Sequence, residues 1–172
     1  MDASEAGRHG RESRLARRTA HLLAALCTAG ALAAIPAPGP AAEPTAGQEI
    51  QFRHAVDDQP LDLPPRPGEQ LTEAVKQFRR TGVNPYAGDE GALAEGKKLY
   101  AQWCQSCHLP DGSGRMGPSL IDEEYYYPRV PTDIGLFEII YGGATGAMQP
   151  FGRRMTQDQI LKLMVYVRSL KK

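Results

Sequence analysis

Residues 103–108 read Trp103-Cys104-Gln105-Ser106-Cys107-His108. Two cysteines that are separated by two residues and followed directly by histidine form the pattern of c-type haem attachment. Both thiols can add to the vinyl groups of one porphyrin, and the adjoining imidazole then lies under the iron as its proximal ligand. The spacing therefore predicts one covalently bound haem c, attached to Cys104 and Cys107 and ligated by His108.

Two other kinds of site also use closely spaced cysteines. A structural zinc site needs a second Cys or His pair, and a thioredoxin-like redox pair needs a βαβ context. The sequence offers neither around residues 104–108. The remaining cysteine, Cys27, lies in a segment that we expect to be removed, so the two motif thiols have no other protein partner.

Length and charge indicate one modest, nearly neutral domain. The chain has 172 residues, and loss of an N-terminal segment would leave about 130, a usual size for a single domain. The 20 lysines and arginines are matched by 20 acidic residues, which argues against a nucleic-acid-binding protein. From Glu43 onward, 15 basic and 17 acidic residues remain, a net charge of −2 that haem propionates would make more negative.

The N-terminal segment has the pattern of an export signal. A polar stretch ends with Arg14, Arg17 and Arg18, and a 16-residue apolar run over residues 20–35 follows it. Small residues and prolines come next. This order predicts a secretory signal peptide over residues 1–42, cleaved between 33 and 42, and therefore a periplasmic protein.

Two alternatives exist for this segment. A membrane anchor would need roughly 20 apolar residues, whereas this run is shorter and contains His21. Arg17-Arg18 could belong to a twin-arginine signal. Because haem c is attached outside the cytoplasm, export of the unfolded chain suits the motif better, and we expect no stable membrane insertion.

Residues 43–88 form the second of three predicted regions. The stretch from Glu43 to Gly68 contains five prolines and few apolar residues, which excludes regular helix and predicts an extended segment on the surface or a linker. Apolar residues then recur from Leu71 to Phe78 at helical spacing, which predicts one short helix that stops at Gly82.

Residues 89–172 form the predicted haem domain. Asp89 is a plausible N-cap for a helix that runs to about Gln102 and presents Gly96 and Tyr100 on one face. A final helix begins at the capping box of Thr156 and Gln159, and its apolar stripe comprises Ile160, Leu163, Met164 and Val167. We expect the two helices to cross, with Gly96 allowing close contact near Tyr166.

Between these helices lie a shorter helix and a glycine-rich loop. Thr132 caps a helix that turns Leu136, Phe137 and Ile140 inward and ends at Gly142-Gly143. The loop over residues 111–120 follows the haem motif. A ligating histidine usually donates its second ring N–H to a fixed acceptor, and we predict that the Pro118 carbonyl is that acceptor, the alternative being an ordinary turn. The three tyrosines at 125–127 line the haem edge or pack beside it.

The sixth iron position needs a second donor. No histidine follows His108, so methionine, lysine, tyrosine or an open site are the choices. Met164 lies on the apolar stripe, Met155 precedes a helix cap, and Met116 lies in the proximal loop. Met148 lies in the glycine- and proline-containing stretch 142–152, whose backbone can approach a flat ligand. We therefore predict that Met148 is the axial ligand.

The order and spacing of these residues resemble those of class I cytochromes c over residues 89–172. The positions that carry the resemblance are Gly96, Tyr100, Cys104, Cys107, His108, Gly117, Pro118, Leu120, Met148 and Pro150. The resemblance implies an all-α fold in which N- and C-terminal helices cross while short helices and loops surround one haem c.

A narrower resemblance, over residues 52–170, is to cytochrome cL. The stretches that carry it are 61–63, 74–78, 81–86, 136–138 and Gly142-Gly143. Cytochrome cL is the periplasmic electron acceptor of methanol dehydrogenases that contain pyrroloquinoline quinone (PQQ), including lanthanide-dependent ones. The resemblance implies a carrier, not an enzyme, that takes single electrons from a PQQ-dependent methanol or alcohol dehydrogenase and passes them to a downstream cytochrome c or oxidase.

The residues alone leave other functions open. The chain could carry electrons for another dehydrogenase or oxidase, or act as a small haem enzyme or ligand sensor with an open sixth position. As a carrier it should be a monomer that meets its partner transiently. The stretch 142–152, with Arg153 and Arg154 just beyond it, should border the contact.

Overall fold

A computed structural model of the chain describes residues 50–171. The predicted signal peptide, Cys27 and the first residues of the proline-rich segment lie outside the described residues. The helices are α1 Glu73–Thr81, α2 Glu90–Trp103, α3 Gln105–His108, α4 Asp133–Gly142 and α5 Gln157–Ser169. Within residues 50–171 extended backbone pairs at a single isolated bridge, Arg53 with Pro60, so the described part of the chain is helical as predicted.

The crossing of α2 and α5 closes the fold, as the sequence predicts. A Cβ on Gly96 would lie 2.2 Å from the Lys162 carbonyl oxygen and 3.0 Å from the Tyr166 Cβ, so only glycine permits this approach. The Tyr100 and Tyr166 rings meet at the same crossing with centroids 5.2 Å apart. The motif at the end of α2 is thereby fixed against the C-terminal helix.

Side-chain caps set where the helices begin, at the predicted residues. The Asp89 carboxylate accepts from the Ala92 N–H at 2.6 Å, and both bonds of the capping box between Thr156 and Gln159 are present. Thr132 caps α4 through the Gly135 N–H at 3.0 Å. Each cap satisfies an N–H group that has no partner inside its helix.

From residue 50 onward the proline-rich segment is extended, but the prediction that it lies on the surface is wrong for this part. Phe52, Leu61 and Leu63 are each no more than 7% exposed and belong to the core. The prolines exclude helix, yet extended backbone turns alternate residues to one side, so Leu61 and Leu63 point inward while Asp62 stays exposed. The segment therefore supplies part of the core and is not a free linker.

A buried carboxylate joins this segment to α4. Glu138 accepts a 2.7 Å hydrogen bond from the Arg53 backbone N–H and a 2.7 Å ion-pair bond from the Arg129 guanidinium. Burial raises the pKa of the Glu138 carboxyl, and both partners oppose that rise because they stabilise the charged form. Two donors from different segments meet the Glu138 Oε1, which offsets part of the cost of burying the charge.

No helix within residues 50–171 combines the length and apolar character needed to span a bilayer.

Candidate functional site

The motif opens into a cavity of about 770 Å³. This volume lies within the usual range of about 300–1,000 Å³ for small-molecule and cofactor sites. Four segments form its walls, namely residues 103–108, 115–120, 124–127 and 144–149, together with side chains of α4 and α5. The predicted site residues Cys104, Cys107, His108, Pro118 and Met148 all line it.

The two cysteines stand where α2 passes into α3. The Cys104 carbonyl accepts from the Cys107 N–H at 3.1 Å and the His108 N–H at 3.0 Å, so one turn of helix sets the spacing of the motif. Both thiols are free and half-buried. Burial, and less strongly the neighbouring Cys107, raises the pKa of the Cys104 thiol to about 12. Reactive redox cysteines have lowered pKa values instead, so the Cys104 thiol does not suit thiol–disulfide exchange.

A zinc site is also absent from this region. Within residues 50–171 no group of three or more His, Cys, Asp or Glu side chains could hold a metal ion. Among the described residues, His108 is the single imidazole that lines the cavity with the two thiols. The site therefore has the donor set of a haem motif, without the second pair that zinc requires.

The His108 ring is held in one orientation. It is 8% exposed, and its Nδ1 lies 2.9 Å from the Pro118 carbonyl oxygen. Because that oxygen can only accept, Nδ1 carries the proton and Nε2 keeps its lone pair for a metal. The Pro118 acceptor is where the sequence predicts it.

Gly117 lets the proximal loop lie flat against the imidazole. A Cβ at this position would be 2.5 Å from His108 Cε1, so any side chain would displace the ring or the loop. The Gly117 N–H also donates to the Cys107 carbonyl at 3.0 Å, which ties the loop back to α3. The loop and the motif thus form one rigid wall of the cavity.

Met148 is half-buried on a loop that follows α4. We call residues 143–152 the Met148 loop. The Ala144 N–H donates to the Met148 carbonyl at 3.1 Å, and Gly143 has a φ of 83°, where a Cβ would lie 2.9 Å from that carbonyl oxygen. Farther along, the Phe151 N–H donates to the Ile140 carbonyl at 3.1 Å. The loop therefore folds back along α4 and presents Met148 to the cavity.

The other methionines occupy different environments. Met164 and Met155 are no more than 1% exposed and lie in the core. Met116 borders the cavity but is 69% exposed on the proximal loop, beside the His108 wall. Of the four methionines after the motif, Met148 thus combines partial burial with a place on the cavity wall.

The tyrosines at 125–127 all line the cavity. Tyr126 is 81% exposed, whereas Tyr125 and Tyr127 are half-buried. The Tyr127 hydroxyl contacts Thr145 of the Met148 loop, a link that sequence reasoning missed because neither motif spacing nor hydrophobic periodicity signals it. The Lys171 ammonium lies against Tyr125 and bonds Glu123 at 3.0 Å, so this lysine is already engaged.

This chemistry matches haem c. Two free thiols, an imidazole with a fixed tautomer and a thioether sulfur line one cavity whose remaining surface is largely apolar and aromatic. The missing Cβ of Gly117 leaves the imidazole seated against the loop backbone. Each of these features serves a flat, vinyl-bearing iron porphyrin.

Comparison with known proteins gives the same result. Residues 91–167 match the family model described as cytochrome c oxidase, cbb3-type, subunit III. Cytochrome c-L of Methylorubrum extorquens is 38% identical over 132 residues, which cover 75% of this chain and 67% of that protein.

Two solved structures resemble the fold. Cytochrome cL from Hyphomicrobium denitrificans aligns with a TM-score of 0.70 and 42% identity, covering 73% of this chain and 76% of that one. Cytochrome CL from the marine methylotrophic bacterium Methylophaga aminisulfidivorans aligns with a TM-score of 0.69 and 41% identity, covering 70% and 81%. The chain belongs to the cytochrome c-L family and is a monohaem c-type cytochrome with the class I cytochrome c fold.

Proposed function

We propose that Cys104 and Cys107 attach the haem, that His108 and Met148 ligate its iron, and that Pro118 orients the proximal imidazole. One observation carries this assignment. The two free thiols, the fixed imidazole and the methionine all face a single cavity. We further propose that residues 1–42 are an export signal, that 43–88 are an extended N-terminal segment with one short helix, and that 89–172 form the haem domain.

The bound haem c supplies a one-electron couple, and methionine ligation raises its potential. The chain's own residues restrict what that couple can do. His108 and Met148 would both ligate the haem iron, which would leave no open position for a substrate. The protein accordingly carries electrons and does not transform a substrate.

The electron donor in this proposal is a PQQ-dependent methanol or alcohol dehydrogenase of the periplasm. Similarity to cytochrome c-L proteins over three quarters of the chain supports it, and one solved relative comes from a methylotrophic bacterium. A downstream cytochrome c or oxidase then receives the electron. The protein itself works as a monomer.

The contact with the donor should be small, because a carrier must leave quickly. Transient redox contacts bury less than about 1,200 Å². Thr145, Gly146 and Ala147 at the tip of the Met148 loop are exposed, and Arg153 and Arg154 lie exposed just after it. This arrangement gives an uncharged centre of small residues with a charged rim, and such a rim steers encounter more than it sets affinity.

Rapid mixing tests the proposal. The oxidised protein is mixed with a quinoprotein methanol dehydrogenase that methanol has reduced, at ionic strengths from low to high. Reduction should be fast and should saturate with dehydrogenase concentration. Its second-order rate should fall several-fold as salt screens the charged rim, while the rate at saturation changes little.

An unrelated c-type cytochrome serves as the control acceptor. Equal rates for the two acceptors at every salt concentration would contradict the proposed donor and leave only the carrier function. Binding of carbon monoxide by the native reduced protein would instead favour a haem enzyme or sensor, since both need an open sixth position.

A further inference from the structure

The tip of the Met148 loop has little to hold it in place. It is built from small residues, Thr145, Gly146 and Ala147 are exposed, and Gly146 has a φ of 81°. Ordering such a stretch costs conformational entropy that side-chain burial does not offset here. A ligand carried on it stays in position only if other contacts fasten the loop.

One residue outside the loop supplies such contacts. The Tyr127 hydroxyl accepts a hydrogen bond from the Thr145 backbone N–H at 3.0 Å and shares a second bond of 2.7 Å with the Thr145 hydroxyl. Within residues 50–171, these are the hydrogen bonds that join residues 144–148 to another segment. The tip is therefore fastened through a single phenol.

Tyr127 itself belongs to a firmly held segment. The Arg168 guanidinium of α5 donates to the Val130, Pro131 and Thr132 carbonyls at 2.8 to 2.9 Å. Arg129 pairs with the buried Glu138 of α4 at 2.7 Å. The Tyr127 phenol thus connects the tip of the Met148 loop to a segment that is bonded to both α4 and α5.

We propose that Tyr127 is the positioning residue for the distal ligand: its hydroxyl fastens the Met148 loop and so keeps the Met148 sulfur on the iron. This role rests on the proposed ligation by Met148. Tyr127 neither touches the iron nor reacts. It determines how readily the loop swings away and lets another ligand take the sixth position.

The test replaces Tyr127 with phenylalanine, which removes the hydroxyl and leaves the ring. Tyr126→Phe is the matched control, because it deletes the same atom one position earlier from an 81% exposed side chain. The holoprotein is titrated with imidazole, and Thr145 amide exchange is followed by NMR. Tyr127→Phe loses two partly exposed hydrogen bonds. Its apparent affinity for imidazole and the exchange rate of its Thr145 amide should each rise about 3- to 10-fold. Tyr126→Phe should change neither.

A second variant separates the hold on the Met148 loop from the stability of the whole fold. Thr145→Ala keeps the amide bond to Tyr127 and loses the hydroxyl bond, so its effect should be smaller than that of Tyr127→Phe. The double variant should equal Tyr127→Phe alone, because the hydroxyl bond is already gone. A thermal midpoint lowered equally in all variants, with unchanged imidazole affinity, would show a purely structural role and overturn the proposal.

The spectrum of the wild-type protein distinguishes a failure of the proposed Tyr127 role from a failure of the Met148 assignment. A wild-type protein with a methionine-ligated spectrum in which Tyr127→Phe behaves like Tyr126→Phe overturns the role of Tyr127 alone. A wild-type protein without that spectrum overturns the Met148 assignment and this role with it.

Discussion

The Cys104→Ala/Cys107→Ala variant is expected to lose all of its haem when the denatured protein is extracted with acidified organic solvent. The wild-type protein should keep one haem per chain under the same treatment, because two thioether bonds survive denaturation. Mass spectrometry of the extracted chain measures the difference directly. Haem that extracts from the unmutated protein would contradict covalent attachment.

The single variants and a neighbouring serine provide the controls. Cys104→Ala or Cys107→Ala leaves one thioether, so each chain should keep its haem covalently. Ser106→Ala changes an exposed residue between the two and should behave like wild type. The double variant should also fold poorly, since without the cofactor a cavity of about 770 Å³ is left unfilled in a small domain.

The second large effect is expected for Met148→Ala. Its reduction potential should be lower than that of the wild-type protein by at least about 100 mV, because axial ligands set haem potentials over a wide range. Loss of the Met148 sulfur removes the donor that favours ferrous iron and opens the sixth position of the iron. Potentiometric titration measures the shift, and carbon monoxide should now bind to the reduced protein.

Met116→Ala is the matched control, since it removes the same side chain from an exposed position on the proximal side of the cavity. It should leave both the potential and the spectrum unchanged. The reverse pattern, with Met148→Ala silent and Met116→Ala altered, would assign the axial role to Met116.

The helix starts and the contact between His108 and Pro118 could be predicted from the sequence because local rules determine them. Asp89, Thr132 and Thr156 begin helices where their side chains can accept from the backbone, and these bonds are present. Gly96 shows the place of the crossing because only a residue without a Cβ allows it. The Pro118 acceptor follows from the need of a ligating histidine for a fixed tautomer.

The features that were missed depend on contacts between distant segments. The proline-rich composition concealed that Phe52, Leu61 and Leu63 complete the core. Their burial depends on the apolar surface that α1 and α4 leave exposed to this segment, and no local sequence pattern predicts that surface. The ion pair of Glu138 and the phenol of Tyr127 likewise pair residues that become neighbours only after folding.

The central claim is that this protein takes single electrons from a methanol-oxidising quinoprotein, and a stoichiometric titration tests it most directly. Oxidation of methanol to formaldehyde releases two electrons and two protons, while each carrier molecule accepts one electron. With methanol and a catalytic amount of PQQ-dependent methanol dehydrogenase, two molecules of oxidised protein should be reduced for each formaldehyde formed. Formaldehyde that accumulates while the protein stays oxidised, or no reaction when this protein is the sole acceptor, would contradict the account.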